Sequence, residues 1–201
     1  MLSKTEYAIL KLLFDDLTRK YTMREMALIL ELPYPQIHRS ISSLFQKKLI
    51  HKEEQGKSMV ISLVLEELKE EYSMVELERK KELLEKYSLI KVLVKDLETV
   101  RFNQFIIVIF GSHAEKKAKT NSDIDILLVI PEEYDYETFE KAIKHALTLS
   151  KVDLNITTEK GLLEMWSHPL KLNVGNEILK KHVVLLGAEA FLRLRRMFYV
   201  G

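Results

Sequence analysis

The chain has 201 residues, enough for one large domain or two small ones, and its 47% hydrophobic content supports a packed core. It contains no cysteine, which excludes disulfides and thiolate metal centres and fits a reducing cytoplasm. No apolar run reaches the length of a membrane span, and the opening Met-Leu-Ser-Lys-Thr-Glu lacks the basic and apolar regions of a secretion signal; a soluble, cytoplasmic protein without a membrane partner is expected.

The net charge of +1 conceals a partition. Residues 1–64 carry 10 basic against 7 acidic side chains, residues 65–87 carry 5 against 8, and the remainder is nearly balanced. In the basic segment, Ser3-x-x-Glu6 is a capping-box pattern ahead of an apolar stripe, predicting a helix from Lys4 to about Asp15. Thr22-x-x-Glu25 repeats the pattern before a short second helix that Pro33 stops. A third helix restarts at Tyr34-Pro35, where proline suits the first turn, and runs to about Lys48 with Ile37, Ile41 and Leu44 on one stripe. Two strands, Leu49 to Glu54 and Lys57 to Leu63, are joined at Gln55-Gly56 as a hairpin.

Three helices followed by a hairpin look like a winged helix-turn-helix domain over residues 1–65. In that arrangement the Tyr34–Lys48 helix enters the major groove of double-stranded DNA, with Gln36, His38, Arg39 and Ser43 near bases or phosphates and Lys52 and Lys57 on the wing beside the backbone. A homodimer is the natural state for two half-sites. The competing use of such a module is protein contact, because the charge surplus is small for a nucleic-acid binder.

From Glu66 to Arg101 the composition turns to Glu, Lys and Leu without glycine or proline. A helical connector over 66–87 is expected, with a third capping box at Ser73-x-x-Glu76 and its charges on a solvated face. Leu77, Leu84, Ile90, Val92, Leu93 and Leu97 supply either core contacts or a dimer seam.

Residues 88–201 hold the chemistry. Phe105–Phe110 and Ile126–Ile130 are apolar runs of strand length. Gly111 follows the first and lets a backbone turn approach a ligand, while Ser112 adds a hydroxyl where a short helix can begin, together a seat for phosphate. The second strand opens with Asp123-Ile124-Asp125, whose alternation puts both carboxylates on one face. Paired anionic oxygens favour a hard cation such as Mg²⁺ or Mn²⁺.

A hydrophobic strand, Gly-Ser, ten intervening residues and Asp-hydrophobic-Asp-hydrophobic resemble the nucleotidyltransferase superfamily of DNA polymerase beta, most closely its minimal prokaryotic branch. The resemblance implies an α+β protein whose mixed sheet with flanking helices follows the winged helix domain and the connector. It also implies an enzyme that moves a nucleoside monophosphate from an NTP to a hydroxyl acceptor. Gly111 and Ser112 would then hold the nucleotide's phosphates, and Asp123 and Asp125 the metal. The family carries a third carboxylate on the next strand. The alternating Lys151–Ile156 segment, after a helix over Asp135–Ser150, offers Asp153 as both metal ligand and catalytic residue; its bland alternative is a water-exposed acid on an edge strand. Helices at Thr158–Trp166 and Val174–Lys181, a strand at His182–Leu186 and a last helix after Gly187 complete the expected order.

One departure stands out. Family members often continue the turn with an arginine where this chain has Glu115, so triphosphate is expected to be held less tightly unless Lys116, Lys117 or Lys119 compensates. His113 and the other five histidines, at 38, 51, 145, 168 and 182, show no metal-ligand spacing. The alternative to an enzyme is a non-catalytic DNA-binding transcriptional regulator, or an antitoxin-like protein, using this domain to sense nucleotide or to contact a helical partner protein.

Overall fold

The structure is a computed structural model that describes residues 2–100, 102 and 105–200. Arg101, the expected end of the charged helical stretch, lies outside these residues. The N-terminal part runs α1 (Lys4–Asp15), β1 (Tyr21–Thr22), α2 (Met23–Ile29), α3 (Tyr34–Gln46), β2 (Ile50–Gln55) and β3 (Ser58–Leu63). Both expected capping boxes form: Ser3 and Thr22 each accept the amide of the glutamate three residues on, and that glutamate reaches back to the cap. Proline occupies the first turn of α3. β2 and β3 pair down to Gln55 opposite Ser58, leaving Gly56 at φ 63° in the turn, and β1 adds a short third strand against β3. That two-residue strand is too brief to leave a periodic signal in the sequence.

Two helices follow, α4 (Glu70–Lys86) and α5 (Ser88–Glu98). The remainder runs β4 (Ile106–Ile109), α6 (Gly111–Ala114), β5 (Ile124–Ile130), α7 (Tyr136–Ala146), β6 (Val152–Thr158), α8 (Glu159–Trp166), α9 (Val174–Lys180), β7 (Val183–Leu186) and α10 (Ala188–Val200). The four strands form a mixed sheet in the order β6-β5-β4-β7, parallel only between β5 and β6. Buried on both faces, β4 and β5 read as unbroken apolar runs. One face, through Ile107, Ile109, Ile126 and Leu128, packs on Ile90 and Leu93 of α5 and Phe139 and Ile143 of α7. The other, through Val108, Leu127 and Val129, joins a cluster running through Trp166, Phe191, Tyr72 and Val75 to Leu10, Phe14 and Ile41. A single apolar cluster therefore spans the N-terminal elements and the larger sheet. Among the described residues no helix is long and apolar enough to cross a membrane.

The expectation for α4 needs correcting. Ser73 caps nothing: the helix starts at Glu70 after Lys69, with no side-chain cap, and Glu76 lies inside it. Nor are the helix's charges all solvated, since Glu76 and Arg79 are 0% and 4% exposed. Their side chains pair with one another; Glu76 also accepts the Val184 amide of β7 at 3.2 Å. Arg79 donates to the His182 carbonyl and to Asp15 of α1, the latter at 3.2 Å. Nearby, the buried Tyr72 hydroxyl donates to the Leu49 carbonyl and accepts the Val64 amide, fastening α4 to the base of the hairpin. Of the apolar positions proposed for a seam, Leu77 and Val92 are exposed, while Ile90, Leu93 and Leu97 are core.

Burial alone would raise the Glu76 carboxyl, but Arg79, His182 and the Val184 amide outweigh it and hold the group at about 2. Because this lies below the ordinary 4.5, the unfolded chain takes up the proton first. The stabilisation is complete above pH 4.5 and is lost as pH falls towards 2. Glu76→Ala strands a buried guanidinium and is expected to destabilise the fold by about 3–5 kcal/mol at neutral pH, read from denaturant midpoints. With Glu76→Gln, the stability gap from the parent chain should narrow as pH falls from 4.5 to 2. A gap independent of pH would show that the charge of Glu76 is immaterial.

Candidate active site

The top of the sheet, where β4 ends and β5 and β6 begin, gathers the residues singled out in the motif. Gly111 turns the chain out of β4 at φ 61°, a conformation that disfavours any side chain. A Cβ built there would overlap Asp125 Oδ2 and come within 2.9 Å of its Cγ. Glycine is thus required twice, by dihedral and by space. The Phe110 amide donates to the Asp125 carbonyl at 3.1 Å, fixing the turn against the start of β5. Ser112 follows, half-buried, in the four-residue helix α6.

Asp125 and Asp153 are direct partners across the parallel β5–β6 pair. In-register residues of adjacent strands share a face, and Asp123, two residues before Asp125, shares it also. The three aspartates are therefore brought to one patch, Asp123 and Asp153 exposed and Asp125 half-buried. The Asp125 carboxyl is pushed up by burial and then by the negative charges of Asp153, Asp123 and Glu177. Glu177, an exposed acid on α9, escapes sequence reasoning because nothing in its surroundings marks that helix as facing the strand ends.

Among the described residues no three His, Cys, Asp or Glu side chains meet metal-ligand spacing; the fit to a cation rests on donor chemistry. Three hard carboxylates share a patch whose mutual repulsion already disfavours ionisation of Asp125, and a divalent hard cation would offset that repulsion.

His113 is 3% exposed. Its ring donates to the Asp123 carbonyl and packs edge-on against Tyr87 with centroids 4.9 Å apart. Burial lowers its pKa, against the opposing pull of Asp125. A histidine without metal-ligand spacing in the sequence is thus packed into the base of the loop, and only its position directly after Gly-Ser could have signalled it. Of the cations expected to compensate for Glu115, Lys117 pairs with Glu115 itself at 2.8 Å. Lys116 pairs with Glu82 of α4 at 2.9 Å, and Glu82 also holds Lys11 of α1. Lys119 has no ion pair among the described residues.

The six residues named for nucleic acid, four on α3 and two on the hairpin, divide. His38 and Arg39 are exposed, Lys57 stands at the hairpin tip, and Lys52 lies 4.7 Å over the Phe45 ring. Gln36 and Ser43 instead turn inward: Gln36 donates to Thr5 of α1 at 2.7 Å, and Ser43 hydrogen-bonds Glu6. Both were placed on the outer surface because polarity alone does not distinguish solvent from a polar neighbour. The remaining histidines do not converge. His51 meets Glu66 at 2.9 Å, His168 meets the Glu164 carbonyl at 3.1 Å, and His182 is buried beside Glu76.

If the Asp125 carboxylate is what bars a side chain at 111, Gly111→Ala is expected to cost about 1–3 kcal/mol of stability, and Asp125→Ala in the same chain should recover part of it. Additive losses in urea unfolding would contradict the close approach.

One family model, Polymerase beta, Nucleotidyltransferase, matches residues 88–188. Searches of the curated proteins and of the solved structures return no significant match.

Proposed function

Because the chain belongs to the Polymerase beta, Nucleotidyltransferase family, we propose that it transfers a nucleoside monophosphate from an NTP to a hydroxyl acceptor, with Mg²⁺ or Mn²⁺ as cofactor. The observation that carries this reading is the in-register pairing of Asp125 with Asp153 beside a glycine turn that touches Asp125. Asp123 and Asp125 hold the cation and Asp153 completes its ligand set on the acceptor side. The amides at Gly111 and Ser112, with the Ser112 hydroxyl, hold phosphate oxygens at the N-terminus of α6. A divalent cation so bound neutralises phosphate charge and lowers the pKa of the acceptor hydroxyl. The residues themselves supply position and charge, which carry most of phosphoryl transfer.

In this reading residues 1–65 form a winged helix-turn-helix domain that binds duplex DNA. It is supported by the α1-β1-α2-α3-β2-β3 order and by His38 and Arg39, exposed on α3 above a hairpin tipped by Lys57. Gln36 and Ser43 are dropped from the contact set because α1 engages them. Exposed Met74 and Leu77 on α4 and Leu89 and Val92 on α5 support a homodimer.

A second reading has its own observation. The loop after Ser112 spends Lys116 and Lys117 on Glu82 and Glu115, which favours a nucleotide-sensing or partner-binding regulator with little turnover. Asp153 separates the two. Asp123→Asn is expected to abolish both NTP binding, followed by calorimetry with Mg²⁺, and transfer. Asp153→Asn is expected to leave affinity within a few-fold while transfer falls by orders of magnitude, because its contact matters chiefly in the transition state. Binding of Mg²⁺ and NTP with no transfer to any acceptor would select the regulator.

For DNA, Arg39→Ala is expected to weaken duplex binding by about 1–3 kcal/mol, and affinity should fall steeply with salt. An unchanged affinity in fluorescence anisotropy would leave α3 with a protein-contact role.

A further inference from the structure

The loop from Ser112 to Asp123 borders a pocket of about 280 Å³ whose lining includes none of Asp123, Asp125 and Asp153. Lys86, Ser88, Lys119, Thr120 and Ser122 line it, and no carboxylate does. Its edge is the N-terminus of α5, an 11-residue helix whose cap residue Tyr87 supplies no side-chain hydrogen bond and whose first turn has no acid. The opening N–H groups of such a helix lack partners within it and carry the positive end of its dipole. Lys86 donates to the Lys116 carbonyl at 2.6 Å, which leaves further N–H groups on its ammonium. The 119–122 turn is closed by the Lys119 amide on Ser122 Oγ at 2.9 Å and the Ser122 amide on the Lys119 carbonyl at 3.0 Å, so the hydroxyls are held on a fixed rim.

A separate observation concerns the pocket wall. His113 and Tyr87 both line it, and His113 Nδ1 and the Tyr87 hydroxyl are buried without a hydrogen-bond partner among the described residues. Native proteins rarely leave buried polar groups unmade, and two in one pocket wall call for a ligand that brings its own hydroxyl. We propose that this pocket is a second anion site, distinct from the Gly111–Ser112 turn, that takes the phosphate group of a small phosphate or phosphate ester. The two lysines and the α5 amides meet the phosphate charge, and a P–OH or ester hydroxyl reaches the His113–Tyr87 wall. The small volume favours a small molecule over a polymer. His113 belongs to both the pocket lining and the turn that follows Gly111 and Ser112, and the site stands whether or not the carboxylate patch performs transfer.

The test is a titration of the full chain, labelled with ¹⁵N at histidine, with inorganic phosphate and separately with glycerol 3-phosphate, at constant ionic strength set by chloride. A saturable shift of the His113 Nδ1 resonance is expected. Lys119→Gln, at an exposed position that leaves the core intact, should weaken it at least tenfold, and Ser112→Ala should leave it unchanged. Tighter binding of the ester identifies an ester as the ligand class, and equal binding identifies free phosphate. No saturable shift up to tens of millimolar overturns the proposal. So does a shift lost in Ser112→Ala but kept in Lys119→Gln, which assigns the phosphate to the front turn.

Discussion

The buried pair of Glu76 and Arg79 is the constraint on which the arrangement turns. Two opposite charges removed from water are costly unless every remaining lone pair and N–H finds a partner. Here those partners come from different parts of the chain: the Val184 amide and His182 carbonyl at β7, and Asp15 at the end of α1. The requirement to satisfy this pair fixes α4 against the sheet edge and α1 against α4. An apolar pair of the same volume would fill the space without dictating that orientation. The Leu17 amide on the Leu179 carbonyl, at 2.8 Å, and the Tyr72 hydroxyl at the hairpin base repeat the same tie from either side.

The same helix then reaches the candidate site. Glu82, one turn beyond Arg79, is held by Lys11 on one side and Lys116 on the other, and these contacts lower its pKa despite partial burial. One carboxylate thus links α1 to the loop that follows the Gly-Ser turn. Lys116, at φ 60°, contributes its carbonyl to Lys86 as well, so the loop is anchored to α4 by side chain and backbone together.

Much of this was legible because local chemistry and global packing agree. Ser3 and Thr22 cap helices that begin directly after them, and the apolar runs of β4 and β5 are buried on both faces. Asp153 was placed by its position in the element order, and the β5–β6 register sets it beside Asp125. Ser73-x-x-Glu76 failed for a physical reason: α4 already runs from Glu70, so Ser73 lies inside the helix, and Glu76 is buried on Arg79 and the Val184 amide. Polar residues also misled where their partner is another polar residue far along the chain, as with Gln36 on Thr5 or Arg79 on Asp15, separations of 31 and 64 residues. Hydrophobic periodicity carries no record of such pairs. His113 and Glu177 escaped for the same reason, since each acts across space on an aspartate from another element.

The loop's charge distribution follows from these pairings. The Glu115 carboxylate is neutralised by Lys117, and the positive charge of Lys116 is neutralised by Glu82. Among the described residues Lys119 makes no ion pair, and it lies on the rim of the rear pocket. The front of the site therefore offers phosphate mainly backbone amides and a hydroxyl. Fixed dipoles of this kind lose less to salt than exposed ammonium groups do, but they supply less long-range attraction. Because Lys116 and Lys117 are engaged by carboxylates and Lys119 lies on the rear rim, capture of an anion at the front turn would, in the proposed reading, depend on a cation bound beside Asp123, Asp125 and Asp153.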